Sequence, residues 1–160
     1  MREKKEPDFP KRPPRLKWIF SESRSLYFVT FNTRQRQSIL VHSAVHEAFV
    51  TFCERGHQKG IAVGDYVIMP DHVHLFVALP INGMNLGQWV GALKMALGRT
   101  LIDLGQDKPH WQEGFFDRLL RNADSYSEKW DYVRMNPVRK GLCAAPEDWT
   151  YQGQIEVLRF

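Results

Sequence analysis

The chain has 160 residues, 43% hydrophobic and 25% charged, with 22 Lys and Arg against 18 Asp and Glu for a net charge of +4. This is ordinary composition for one folded domain, and the positive surplus is too mild to name a partner. No apolar run is long enough to span a bilayer, the basic start lacks the apolar core of a signal peptide, and Cys53 and Cys143 have neither metal nor disulfide spacing. The expectation is a cytoplasmic protein with reduced thiols rather than a secreted, membrane or redox protein.

Residues 1–20 read as a basic, proline-rich arm. Arg2, Lys4, Lys5, Lys11, Arg12, Arg15 and Lys17 alternate with Pro7, Pro10, Pro13 and Pro14, so this stretch cannot bury a core. It is either a solvated tail or a phosphate-contacting arm. Residues 21–160 read as one domain. Ser25 to Asn32 is aromatic and β-branched and predicts a first strand, followed by a polar loop carrying Arg34 and Arg36. From Ser43 to about Lys59 the spacing of Val45, Ala48, Phe49 and Phe52 predicts a helix, with Ser43 as N-cap and Gly60 as stop. His42 and His46 lie on its first turn without a supporting motif and read as surface residues.

Ile61 to Met69 and His72 to Leu79 predict an antiparallel hairpin closed by Pro70 and Asp71. Side chains alternate along a strand, so Val73, Leu75, Val77 and Leu79 form the core face, and His72, His74, Phe76 and Ala78 the other. His72 and His74 then stand side by side, an arrangement that suits a metal ion. A His-x-His pair in isolation is as readily solvated or hydrogen-bonded. Asn85 to Leu104 carries Leu86, Trp89, Val90, Leu93, Leu97, Leu101 and Leu104 on one stripe and predicts a second helix, with Lys94 and Arg99 outside the stripe. His110 to Arg121 fits one or two further strands.

The order strand, helix, strand, strand, helix, strand predicts an α+β, ferredoxin-like βαββαβ antiparallel sheet with two helices on one face. A third helix is expected from about Ser125 to Met135, opened by Asp124 and Ser125 with Ser125-x-x-Glu128 as a capping box, and anchored by Tyr126, Trp130 and Val133. Tyr132 and Asn136, four residues apart, fall on a neighbouring stripe at the border of buried and exposed faces. Arg134, Arg139 and Lys140 surround them with positive charge.

Met69-Pro-Asp-His-Val-His-Leu-Phe-Val77, Trp111-Gln-Glu-Gly-Phe-Phe-Asp-Arg-Leu-Leu-Arg121, Lys129-Trp-Asp-Tyr-Val-Arg-Met-Asn-Pro-Val-Arg-Lys-Gly-Leu142 and Pro146-Glu-Asp-Trp-Thr-Tyr151 occur in that order. Together they resemble the HUH single-tyrosine transposases of the IS200/IS605 type, most closely the REP-associated tyrosine transposase branch. The resemblance runs from Leu26 to Tyr151. It implies a tyrosine helix packed across the histidine face, Tyr132 as catalytic nucleophile, and His72 and His74 as metal ligands, with Asn136 completing the site through its side-chain oxygen. Mg²⁺ or Mn²⁺ is the implied ion.

The implied activity is that of a transposase-like endonuclease, which cleaves and rejoins single-stranded DNA at hairpin or palindromic repeats through a 5′-phosphotyrosine intermediate. A monomer is implied by the REP-associated branch, and a dimer by the insertion-sequence branch. The expected DNA contacts are Arg34, Arg36, Lys94, Arg99, Arg134, Arg139 and Lys140, and Phe76 either stacks on bases or, as favoured, packs under the third helix. With 11 residues after Trp149, an extended hairpin-reading C-terminal segment is not expected. Two other classes fit parts of the pattern. A non-catalytic single-stranded nucleic-acid module with an RRM-like sheet needs none of the catalytic residues, and a water-using phosphohydrolase needs the histidines without the tyrosine.

Overall fold

The computed structural model describes residues 24–158. The basic arm, residues 1–20, lies outside the described residues. Within them the chain forms β1 (Arg24–Asn32), α1 (Ser43–Gly56), β2 (Ala62–Ile68), β3 (His72–Pro80), α2 (Leu86–Asp103), β4 (Phe116–Leu120), α3 (Ala123–Val133), α4 (Asn136–Arg139) and β5 (Gln152–Gln154). The strands make one antiparallel sheet in the order β4-β1-β3-β2-β5. The expected βαββαβ arrangement is therefore present, and β5, which the sequence pattern did not reveal, extends the β2 edge.

Alternation along β3 divides the interior. Val73, Leu75, Val77 and Leu79 enter a core with Val45 and Phe49 of α1 and Trp89, Leu93, Leu97 and Leu101 of α2. Phe76, on the opposite face, belongs to a second core with Phe28, Val67, Met69, Tyr126 and Val133. This second core exists because α3 lies across the sheet. Phe76 is fully buried, its ring centroid 4.0 Å from Tyr126 and 6.3 Å from Trp130. It is thus packed under α3, as favoured from the sequence, and has no free face to offer a base.

A polar clamp fixes the first half of α3. The Tyr126 hydroxyl donates to Asp65 Oδ2 at 2.5 Å and accepts from the Asp65 N–H at 3.0 Å. Burial pushes the Asp65 carboxyl above its ordinary range, while hydrogen bonds from Tyr126 and Gln154 oppose the rise. Burial and the facing Asp65 charge also raise the Tyr126 phenol, so it stays a neutral donor. Gly64 makes the approach feasible, because a Cβ there would lie 2.7 Å from both the Tyr126 hydroxyl and Leu158.

The helix ends correct several expectations. Asn122, not Asp124 or Ser125, caps α3, and its Oδ1 accepts from Ser125 N at 2.8 Å. The chain turns into the helix immediately after β4, so the first capable side chain takes the cap and the expected Ser125–Glu128 box is displaced. Likewise His42 rather than Ser43 caps α1, its Nδ1 accepting from Ala44 N at 3.0 Å. His46 is not a plain surface residue: it is partly buried and hydrogen-bonds the Tyr66 hydroxyl at 2.8 Å. Asn85 caps α2 in a capping box with Gln88, and a 3₁₀ turn after α1 stops at Gly60, whose φ of 74° favours glycine.

Phe76→Ala removes the centre of the second core. It is expected to cost about 3–5 kcal/mol in urea denaturation, with loss of the protection of α3 amides from hydrogen exchange.

Candidate active site

His72 and His74 project from the start of β3 on the α3 side of the sheet, with Thr30 and Asn32 of β1 directly across. The rings meet edge to face with centroids 4.7 Å apart, and their Nε2 atoms converge to 3.1 Å. Each ring is held from behind. Asp71 Oδ1 lies 2.7 Å from His72 Nδ1, and Thr30 Oγ1 lies 2.6 Å from His74 Nδ1. Phe28 stacks on His74 at 5.5 Å with an interplanar angle of 17°.

These partners dictate the protons. Two groups meet His72 Nδ1: Asp71 Oδ1 at 2.7 Å, which only accepts, and Arg36 Nη2 at 3.2 Å, which only donates. The shorter contact to the carboxylate favours the hydrogen on Nδ1 and turns the Nε2 lone pair outward. Facing that lone pair, His74 donates from Nε2 and accepts at Nδ1 from the Thr30 hydroxyl. With both Nε2 lone pairs turned to a common cation, the His74 proton belongs on Nδ1 and Thr30 accepts it. A threonine hydroxyl serves both arrangements, whereas a methyl serves neither.

The donor set fits a divalent ion. The two Nε2 atoms converge, and both could turn their lone pairs to one ion held between them, with oxygen donors completing its shell. Among the described residues the two imidazoles are not part of a cluster of three or more His, Cys, Asp or Glu side chains. The carboxylate and hydroxyl behind the imidazoles are the supports that metal-binding histidines ordinarily have.

Charge reinforces this arrangement. Burial lowers the pKa of both histidines. For His74, repulsion from His72, Arg36, Arg139 and Lys129 adds to burial and brings the value to about 3. For His72, Arg36 and Lys140 oppose protonation while Asp71 favours it. Both rings are therefore neutral and ligand-ready at physiological pH. For Asp71, burial alone raises the pKa, but hydrogen bonds and charge from Arg36 and His72 outweigh it and hold the carboxyl below its ordinary range.

Arg36 has a role that the sequence reading missed. Its Nε pairs with Asp71 Oδ2 at 2.8 Å, and its Nη1 donates to Asn32 Oδ1 at 3.2 Å, so it fixes the carboxylate that fixes His72. It does so from a left-handed backbone, with φ of 54° at Arg36 and 52° at Gln35, a strained pair of non-glycine residues beside a polar site. Asp71 and Thr30 were also missed as supports. Asp71 directly precedes the histidine strand, which is the signal that was available; Thr30 becomes visible only through the β1–β3 register.

Tyr132 lies near the end of α3 and is 66% exposed, further out than the border position expected from its spacing. The Arg139 guanidinium covers its ring at 4.1 Å, donates to the Tyr132 carbonyl at 2.7 Å and also donates to Asn136 Oδ1. Arg139 therefore gathers Tyr132 and Asn136, and the Asn136 oxygen is occupied by Arg139 rather than placed against a histidine. Tyr132 opens onto a cleft of about 420 Å³ that includes Arg118, Arg121, Asn122, Glu128 and Lys129.

The expected DNA-contacting residues fall into three groups. Arg36, Arg139 and Lys140 exert charge on the histidines, and Arg34 is exposed in the same β1–α1 loop as Arg36. Arg134 pairs with Glu147 at 2.9 Å. Lys94 and Arg99 lie on α2, whose core is on the opposite side of the sheet from the histidines. Lys94 Nζ donates there to the carbonyls of Gln112 at 3.1 Å and Gly114 at 2.6 Å, a loop-fixing role, and Arg99 borders the groove between α1 and α2.

Comparison with known proteins follows the same lines. A family model described as "Transposase IS200 like" matches residues 21–133, a span that includes His72, His74 and Tyr132 and stops short of Asn136. A REP-associated tyrosine transposase of Haemophilus influenzae is 28% identical over 139 residues, covering 79% of this chain and 77% of that one. One of Escherichia coli is 24% identical over 126 residues, covering 78% and 73%. A solved structure of a REP-associated tyrosine transposase bound to a REP hairpin superposes with a TM-score of 0.63 at 21% identity, covering 80% of this chain and 75% of that one. A transposase structure from Deinococcus radiodurans gives 0.52 at 20% identity, covering 69% and 88%.

Two outcomes follow from this geometry. Thr30→Val and Asp71→Asn are each expected to weaken Mn²⁺ binding about 10- to 100-fold in calorimetric titration. Because the folded pKa values of the histidines are depressed, their contribution to stability is complete above the unfolded value of 6.5 and is lost as pH falls towards the folded value of His74, about 3. In chelator, the wild type is expected to lose about 1–2 kcal/mol more stability than His74→Gln between about pH 7 and about pH 5, read by urea denaturation at both pH values.

Proposed function

The chain belongs to the IS200-like transposase family, and on that premise we propose that it cuts and rejoins single-stranded DNA beside hairpin structures, with Tyr132 as nucleophile. The observation that carries the reading is the converged pair of neutral imidazoles, set among cations on the face crossed by the tyrosine helix. The relative solved with a REP hairpin supports hairpin DNA as the substrate class.

In this reading His72 and His74 hold the divalent ion, and Asn136 joins them when its oxygen leaves Arg139. The ion, when bound, supplies Lewis-acid polarisation of the scissile phosphate and offsets charge that develops in the transition state. Asp71 and Thr30 keep the imidazoles in their ligand tautomers. Arg36, Lys129, Arg139 and Lys140 hold the DNA backbone where its phosphates replace repulsion among cations with attraction.

Tyr132 Oη attacks phosphorus, the Tyr–O–P bond forms and the P–O3′ bond breaks. The phenolic proton is lost, and the departing 3′ oxygen gains a proton to become a hydroxyl. A 5′-phosphotyrosine and a free 3′-hydroxyl remain. Since the phosphodiester is exchanged rather than hydrolysed, attack by another 3′-hydroxyl reverses the step on a new strand without ATP. The exposure of Tyr132 suits this chemistry, because the side chain has to reach a strand lying on the open sheet. Arg139, stacked on the ring, restricts that reach.

Incubation of 5′- and 3′-labelled single-stranded hairpin DNA with Mg²⁺ or Mn²⁺ is expected to give a denaturation-resistant adduct with the wild type. Tyr132→Phe is expected to form none, and His72→Ala or His74→Ala to reduce adduct formation by about 100-fold or more. Cleavage without an adduct would indicate water as the nucleophile and overturn the proposal.

A further inference from the structure

One exposed aromatic side chain lies in the same row of the sheet as His74. Phe115 and Phe116 are adjacent but point to opposite faces. Phe115 packs against the α1–α2 core, whereas Phe116 is 57% exposed on the other face. Its position is defined by register: Phe116 of β4 pairs with Thr30 of β1, and Thr30 pairs with His74 of β3. These three side chains form one row across the sheet, with Phe116 about 10 Å from His74 at two strand spacings. Leu120, four residues further along the same face, is buried under α3, so the helix covers that end of β4 and leaves the Phe116 end open.

The surroundings are basic and rigid. Arg118, next on the same face of β4, pairs with Phe28, and Lys129 Nζ sits 5.2 Å from the Phe28 ring centroid. Arg118 and Lys129 both line the cleft onto which Tyr132 opens. Lys94 anchors the approach to Phe116 from behind by binding the Gln112 and Gly114 carbonyls. A flat ring held on a fixed strand with cations beside it has the features of a stacking platform for single-stranded DNA.

We propose that Phe116 is a nucleobase subsite: it stacks on the base of a nucleotide adjoining the scissile phosphate, while Arg118 and Lys129 contact the neighbouring backbone. The inference rests on the reading of His72, His74 and Tyr132 as the cleavage site. The row from His74 through Thr30 to Phe116 sets the direction in which the strand crosses the sheet. An edge strand with an exposed phenylalanine is otherwise a liability for edge-to-edge association, and an occupying base removes that exposure during turnover.

The test is binding of a fluorescent DNA hairpin with single-stranded tails, in which each tail nucleotide is replaced in turn by an abasic one. For the wild type, one position is expected to stand out, with affinity falling about 5- to 150-fold. Phe116→Ala and Phe116→Leu are expected to show the same loss on intact DNA and no further loss at that abasic position. Phe116→Trp is expected to restore both affinity and the abasic penalty. Normal affinity of both Ala and Leu variants, or a full abasic penalty that persists in them, would overturn the subsite. Adduct formation at saturating protein, measured on the same DNA, separates the two claims: an intact abasic pattern without a wild-type adduct would refute the cleavage reading and its scissile phosphate while leaving Phe116 as a base-stacking site.

Discussion

The structure depends on a strand that is covered on one face along its whole length and on the other along only part of it. β3 buries Val73, Leu75, Val77 and Leu79 under α1 and α2. Its second face divides: Phe76 is sealed under α3, and the histidines lie at the start of the strand beyond that seal. A shift of one residue in register would send the imidazoles into the main core and the valines outward. The hydrophobic pattern that makes the sheet therefore also fixes the direction of the imidazoles, and the cost of burying polar rings enforces their hydrogen bonds to Asp71 and Thr30.

From that constraint come the electrostatics. A pair of largely buried, mutually facing imidazoles among Arg36, Lys129, Arg139 and Lys140 is a poor place for another proton. It is a good place for an ion that brings anionic phosphate with it. Asp71 is the local counter-charge, and its ion pair with Arg36 holds it against His72. The clamp between Asp65 and Tyr126 secures the first half of α3, while Arg139 organises Tyr132 and Asn136 at the junction with α4. The tyrosine is thus carried by a helix fixed at one end and presented to solvent at the other.

Much of this was legible in the sequence because periodicity reports burial directly. The alternation of β3, the stripe of α2 and the Tyr126, Trp130 and Val133 anchors of α3 all place apolar side chains where the two cores require them. Contacts made across the sheet were not legible. Thr30 is one threonine in an aromatic strand until the register sets it behind His74. Arg36 looked like a DNA-contacting residue in a loop until its left-handed backbone brought it to Asp71. Lys94 and Arg99 were assigned to DNA from charge alone, although the predicted sheet already put α2 on the face opposite the histidines. The Asn122 cap was missed because Asp124 and Ser125 offered equally suitable cap chemistry two and three residues later.

The central claim is that the chain's own Tyr132 becomes covalently joined to DNA at the histidine site. It is tested most directly by digesting the protein–DNA product with protease and nuclease and locating the attached nucleotide by mass spectrometry. The account predicts a phosphonucleotide on the peptide carrying Tyr132, linked through the phenolic oxygen. Attachment at Tyr126, Tyr151 or another residue, or quantitative recovery of unattached 5′-phosphate ends, would contradict it.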